Sequence, residues 1–393
     1  MLRSLYSGIS GLRSHQTMLD VTGNNIANVN TTAFKASAVQ FQDTLSQLKQ
    51  GAGAPQDQVG GTNPAQVGLG VQVAGIATNF AQGSAQSTGR ATDIAISGDG
   101  FFVTQLAGET LYSRAGAFDF DAQGRLVSPD GAIVQGWNAA NGQINEGGPV
   151  GNITLPLQAM IPARATGTAT LVGNLPADAT EGSAIVRDVS VYDALGAART
   201  LSVTFARTAT GWTASGTDTA GGTSAAAATL TLDATGGLTA SGPLNVAGVT
   251  VDLAALTGQA GLTTATISSQ DGSTAGSLQS FTLGKDGTLV GLFSNGSQTS
   301  IARIALATFT NPGGLEKAGS SAYRATFNSG NAALGAPGDG GLGSLSGGTL
   351  EMSNVDLSQE FTNLIVAQRG FQANARIITT SDEVLQELTN LKR

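Results

Sequence analysis

Apolar and small residues recur at steps of three and four over long stretches at both ends of the chain. From Asp356 to Leu391 the stripe runs Leu357, Phe361, Leu364, Phe371, Ala375, Ile378 and Leu385. A second seam of Ile377, Val384, Leu388 and Leu391 takes over near the end. This spacing predicts one amphipathic helix. No Pro interrupts it, and its only Gly is Gly370. Asp356 and Gln359 are placed to form an N-cap and its capping-box partner. At 1.5 Å per residue the helix would run roughly 50 Å, long for one globular domain. Residues 2 to 28 repeat the pattern with Leu2, Leu5, Ile9, Leu12, Gln16, Leu19, Gly23 and Ile26. Two such stripes at opposite ends of one chain are most economically each other's partners.

Between them the period drops to two. Val71 and Val73 alternate, as do Val189 and Val191, Leu201, Val203 and Phe205, and Val249, Val251 and Leu253. Asp193-Ala194-Leu195-Gly196 supplies the turn of a hairpin, and Gly98-Asp99-Gly100 reads as the turn of another. Ile304 to Phe309 reads as a strand. Ala38 to Gln50 is predicted as a short helix with Phe41, Leu45 and Leu48 on one face, and Gly51 to Gly70 has no periodicity.

Four Asn within seven residues, Asn24, Asn25, Asn28 and Asn30, make poor helix interior and good capping material. The segment Asn24-Asn25-Ile26-Ala27-Asn28-Val29-Asn30-Thr31-Thr32-Ala33-Phe34-Lys35 resembles the N-terminal signature of the axial rod and hook proteins of the bacterial flagellum. Ala33 stands where that family usually has Gly, which argues against a left-handed turn there or moves it to a neighbour. Asp93-Ile94-Ala95-Ile96 with Gly98 to Phe102, Tyr112-Ser113-Arg114-Ala115-Gly116, and Leu350 to Asp356 are similar to further family segments. Gln135-Gly136-Trp137, Val191 to Gly196, Phe309 to Leu315 and Ser329-Gly330 resemble the hook branch rather than the distal rod branch, which remains the alternative.

The expected fold is therefore α+β, with long N- and C-terminal helices pairing as a coiled coil and two nested, mainly antiparallel β domains between them. Its parts are an N-terminal helix over 1–35, a linker over 36–70, the two halves of an inner β domain over 71–150 and 278–351, an outer β domain over 151–277, and a C-terminal helix over 352–393. The expected assembly residues are Leu2, Leu5, Ile9, Leu12, Leu19 and Ile26 on one helix, and Leu357, Phe361, Leu364, Phe371, Ile378, Leu385 and Leu388 on the other. The signature residues are Asn24, Asn25, Ile26, Ala27, Asn28, Asn30, Phe34 and Lys35.

Composition narrows the function. The 393 residues include 55 Gly and no Cys, only 12% are charged, and the net charge is -8. Disulfides and thiolate metal sites are excluded, and the charge argues against nucleic acid and an anionic membrane as partners. No apolar run approaches the length of a membrane span. Gly8, Ser10, Gly11, Arg13 and His15 break up any apolar signal-peptide core. His15 is the single His, so no Ser-His-Asp or His-rich metal site can be assembled. No phosphate loop is present. Asp99, Asp130 and Asp286 read as turn formers, and Gly338-Asp339-Gly340-Gly341 lacks the rest of a calcium loop. The expectation is a non-enzyme without cofactor or metal. The resemblance implies a subunit of the hook, a curved, bendable tube that transmits torque between motor and filament. It also implies partners: itself, the distal rod protein, the hook cap, the hook-filament junction proteins and the flagellar type III export apparatus. Its location would be extracellular, in the hook, reached without a cleavable signal peptide.

Overall fold

The two terminal stripes form helices α1 (Leu2–Ala27) and α2 (Leu357–Asn390). The structure, a computed structural model, describes residues 2–55, 60–140, 142–156, 160–219, 222–224, 226–233 and 235–390. Leu391 of the predicted second seam lies outside them. The fold is α+β, with the two helices flanking many short strands. The chain separates into two compact units: Met1–Leu155 with Thr282–Val290 and Ser300–Arg393, and Pro156–Phe281 with Gly291–Thr299.

In the first unit, Gln298–Ile304 (from Ser300 onward in this unit), Ile133–Ala140, Phe101–Leu106, Glu109–Ser113, Ala322–Arg324 and Glu316–Gly319 follow one another in an antiparallel sheet. Its core is aromatic. Phe101, Tyr112, Phe309 and Tyr323 meet edge to face at 4.8–6.0 Å between centroids, the arrangement that ring quadrupoles favour. The predicted hairpin through Gly98-Asp99-Gly100 does not form. Ile94–Ser97 pairs with Ser344–Gly347, and Phe101–Leu106 pairs with Glu109–Ser113. Gly98 and Gly100 both take positive φ, 111° and 128°, and send the two strands to different partners. Ile304–Phe309 is broken at Ala305 into two strands.

The predicted helix over Ala38–Gln50 is also absent. Ser37–Asp43 pairs with Val71–Thr78, and Ser46–Gln50 pairs with Ala65–Gly68. The segment read as a linker over 36–70 thus holds paired strands of a β arm. The spacing of Phe41, Leu45 and Leu48 fits a helix, but Val39 and Phe41 also alternate. Their partners Ile76 and Val73 lie across the arm, and this distant pairing overrides the local period.

The second unit holds a five-stranded antiparallel sheet, Ala184–Tyr192, Ala198–Thr208, Gly211–Asp218, Ala228–Leu232 and Leu238–Ala240. A four-stranded sheet of Leu244–Val246, Val249–Thr257, Thr168–Asn174 and Thr266–Gln270 contains one parallel pairing, Thr168–Asn174 with Val249–Thr257. Leu201, Val203 and Phe205 are fully buried while their strand neighbours are half-buried. Asp193 Oδ1 accepts from the N–H groups of Leu195 and Ala197 and builds the turn. The hairpin over 184–208 is therefore formed as the alternation predicts.

Candidate assembly site: the paired chain ends

Helices α1 and α2 lie against each other within the first unit. A Cβ on Gly8 would sit 3.4 Å from Ile378, one on Gly11 would sit 2.7 Å from the Asn374 side chain, and one on Gly370 would sit 2.5 Å from the His15 ring. Further along, the Asn25 Nδ2 donates to Glu360 Oε1 at 3.1 Å. Numbers rise along α1 as they fall along α2, so the helices are antiparallel. Gly in a helix interior costs about 1 kcal/mol relative to Ala. Here its missing side chain is what lets the two backbones approach.

The contact runs one step round from the expected leucine stripe of α1. Gly8, Gly11, Ser14, Thr22 and Asn25 are buried, while Leu5, Ile9, Leu12, Leu19 and Ile26 are half-buried. Leu2 opens the helix. On α2, Leu364, Phe371, Ile378 and Leu385 are half-buried and Ala367 is buried. Leu357, Phe361 and Leu388 are exposed. A small-residue helix face carries no hydropathy signal; its only trace in the sequence is glycine placed inside a helical repeat.

α2 begins as its sequence predicts on one side only. Asp356 Oδ1 accepts from the N–H groups of Ser358 (2.8 Å) and Gln359 (3.2 Å). The Gln359 side chain turns to Asn363 instead of closing the box. α1 ends on its asparagines. Asn28 Nδ2 donates to the Asn24 carbonyl at 2.9 Å, which also accepts from the Asn28 N–H at 3.2 Å, so side chain and backbone close the last turn together. Asn28 Oδ1 accepts from the Thr31 hydroxyl. Asn24, Ala27 and Asn30 are exposed. Asn25 is buried and ties three elements together: besides Glu360, it donates to the Ser37 carbonyl (2.8 Å) and accepts from the Ser37 N–H (3.1 Å).

Ala33 keeps the left-handed turn itself, with φ 55° and no exposed surface. Its N–H donates to the Glu351 carbonyl at 2.8 Å, which holds it there. Left-handed backbone costs a residue with a Cβ roughly 1–2 kcal/mol. Phe34 is half-buried under the Lys317 ammonium, 5.2 Å from its ring centroid.

Lys35 then enters the interior, fully buried. Its Nζ donates to Glu351 Oε1 at 2.6 Å and to the Ala81 carbonyl at 2.8 Å. The same Oε1 accepts from the Gly83 N–H at 2.8 Å. Glu351 Oε2 faces Arg114 Nη1 at 3.3 Å. The Arg114 Nε and Nη2 donate to the carbonyls of Gly100 and Gly98, bracing the turn that splits the two strands. Two cations thus share one carboxylate, and backbone carbonyls complete their shells, as buried charge requires. Burial holds the Lys35 ammonium below its usual value despite Glu351 beside it. Burial also pushes the Tyr323 phenol up to about 12, with the Glu351 charge adding to the rise and Arg114 opposing it. Gly116 follows at a place where a Cβ would lie inside the Ile94 carbonyl. The resembling segments around Lys35, Arg114 and Glu351 therefore converge on one node, which sequence reading did not reveal.

No group of three or more His, Cys, Asp or Glu able to hold a metal occurs among the described residues. Among them, no helix is long and apolar enough to cross a membrane. The site joins helices to strands and both chain ends to each other. Three family models of flagellar rod and hook proteins match the same segments. Residues 5–35 match the model described as Flagella basal body rod protein, 95–169 that of the Flagellar hook protein FlgE/F/G D1 domain, and 346–391 that of Flagellar basal body rod FlgEFG protein C-terminal. The flagellar hook protein FlgE of Borreliella burgdorferi is 39% identical over 442 residues, covering 100% of each chain. The flagellar basal-body rod protein FlgG of Bacillus subtilis is 36% identical over 394 residues, again covering 100% of each. The Helicobacter pylori hook protein FlgE2 structure shares the fold with TM-score 0.53 at 14% identity, covering 68% of this chain and 100% of that one. The chain belongs to the flagellar hook protein family.

Proposed function

We propose that the chain is a structural subunit of the flagellar hook that polymerises, head to tail, into a curved and bendable helical tube transmitting torque from rod to filament. The observation that carries this is the uncovered apolar surface of α2. Phe361, Ile365, Val366, Ile377, Val384 and Leu388 are 41–55% exposed, although the same helix already lies against α1. A helix with apolar groups on more than one face needs more than one neighbour. In the polymer, α1 and α2 would pair in coiled-coil fashion on the inner wall, with the second unit nested outward. Free subunits would hold these ends loosely, because one pairing covers only part of each stripe. The partners in this reading are the distal rod protein, the hook cap, the hook-filament junction proteins and the type III export apparatus. Export would need no cleavable signal peptide.

Electron microscopy of the purified chain after salt-induced assembly tests the proposal. Curved tubes are expected; a chain that stays monomeric under all conditions refutes it. Straight, rigid tubes would favour a distal rod role, which the full-length similarity to the Bacillus subtilis rod protein supports.

A further inference from the structure

Phe327 is the most exposed large apolar side chain among the described residues, with all of its surface in solvent. It does not sit on a loose loop. The Thr326 hydroxyl donates to the Gly314 carbonyl, and the Ser329 hydroxyl donates to the Thr326 carbonyl. Asn311 Nδ2 donates to the Asn328 carbonyl, and the Asn311 N–H donates to the buried Ser329. A Cβ on Gly314 would lie 2.7 Å from the Asn328 backbone, so the turn is packed as well as bonded. The ring is projected by a braced turn and covers none of the described residues. Pre-organised aromatic groups of this kind are typical interface anchors, because little freedom is left to lose on binding.

The same unit carries an unfilled recess of about 500 Å³ on the β arm, lined by Asp43, Thr44, Leu45, Leu69 and Gln72. Leu45 is 82% exposed and lies beside Leu69, whose N–H donates to the Leu45 carbonyl. Its two leucines, both exposed, supply apolar surface, and Asp43, Thr44 and Gln72 supply polar groups beside them, the mixture found at interface anchors. One chain therefore presents an uncovered knob and, elsewhere, an uncovered recess. A knob and a recess on different surfaces make a heterologous contact, which propagates rather than closing on itself. We propose that Phe327 of one copy seats in the Leu45–Leu69 recess of a second copy. This rests on the reading that the chain polymerises, and it names one contact within that polymer.

The chain has no Cys, so introduced thiols report without background. Polymer carrying both Phe327→Cys and Leu45→Cys, oxidised and run without reductant, is expected to give a ladder of three or more linked subunits. Either single variant should give at most dimers. In parallel, Phe327→Ala should raise the concentration needed for assembly roughly tenfold or more, with Phe327→Trp near the unsubstituted value. Polymer without a ladder, or Phe327→Ala assembling at the unsubstituted concentration, overturns the contact while leaving the hook reading intact. An unsubstituted chain that never polymerises overturns both.

Discussion

Removing the carboxylate of the buried node should cost far more than removing its lysine. In Glu351→Gln the Lys35 and Arg114 cations, 0% and 3% exposed in their side chains, lose the carboxylate they share. Breaking a buried pair in this way costs about 3–5 kcal/mol. In Lys35→Met the Arg114–Glu351 pair survives. Gly83 still donates to Glu351, and the Ala81 carbonyl keeps the Asn354 side chain at 3.0 Å. What is lost is the two hydrogen bonds from the ammonium to Glu351 and the Ala81 carbonyl, offset by the cost of burying the charge, a net of about 0.5–1.5 kcal/mol. Urea denaturation read by Trp137 fluorescence, in a Trp212→Phe background, reports on the first unit. The Lys35→Met/Glu351→Gln double variant should recover part of the Glu351→Gln loss, since one of the stranded cations is gone. Equal costs for the two single variants, or a larger one for Lys35→Met, would refute this view of the node. The sign with pH is also fixed. The folded chain holds Lys35 below its unfolded value of 10.5, so the unfolded chain binds more protons between the two values. Stability from this group therefore rises with pH up to about 10.5, and Lys35→Met should remove that rise.

Four other outcomes are expected. Gly11→Ala should weaken the α1–α2 pairing by forcing the Asn374 side chain aside, and Asn374→Ala should restore it, with far-ultraviolet circular dichroism following helix melting; no rescue would mean the clash is not at Asn374. Ala33→Gly should stay within about 1 kcal/mol of the unsubstituted chain, because relief of left-handed strain opposes lost chain stiffness and methyl burial. Ala33→Val should cost about 3 kcal/mol or more in the same denaturation assay, since a β-branched residue in that backbone is strained and the site has no spare room. Finally, the Tyr323 phenol is raised to about 12, so between pH 10 and 12 the folded chain holds a proton that the unfolded chain releases; stability should fall across that window, and absorbance titration should show Tyr323 ionising late. A full set of tyrosines titrating near pH 10 in the folded chain would contradict the burial.

The parts of the fold carried by periodic hydropathy were legible in the sequence. The steps of three and four placed both terminal helices, and the alternation through Leu201, Val203 and Phe205 placed its hairpin. What escaped was set by distant partners or by residues without hydropathy. Phe41 and Val39 could not announce that Val73 and Ile76 would pair with them. Gly8, Gly11 and Gly370 mark the helix contact by what they lack. The charge of Lys35 alone predicts a solvated residue; only the Glu351 carboxylate and the Ala81 carbonyl make its burial tolerable. Ala33 shows the opposite limit, for the backbone there keeps the turn even without the residue that would adopt it most easily.

Lys35 and Glu351 are separated by 316 positions in the chain, and this gives the molecule an order of completion. The hairpins of the second unit join neighbours in sequence and can form from local contacts as soon as their strands exist. The node instead requires Lys35, Arg114 and Glu351 to be present together, so it closes late, after the strands between them exist. A subunit truncated before Glu351 could build most of its strands and still leave Lys35 without this carboxylate, so the two segments are fastened only by closing a loop of more than three hundred residues.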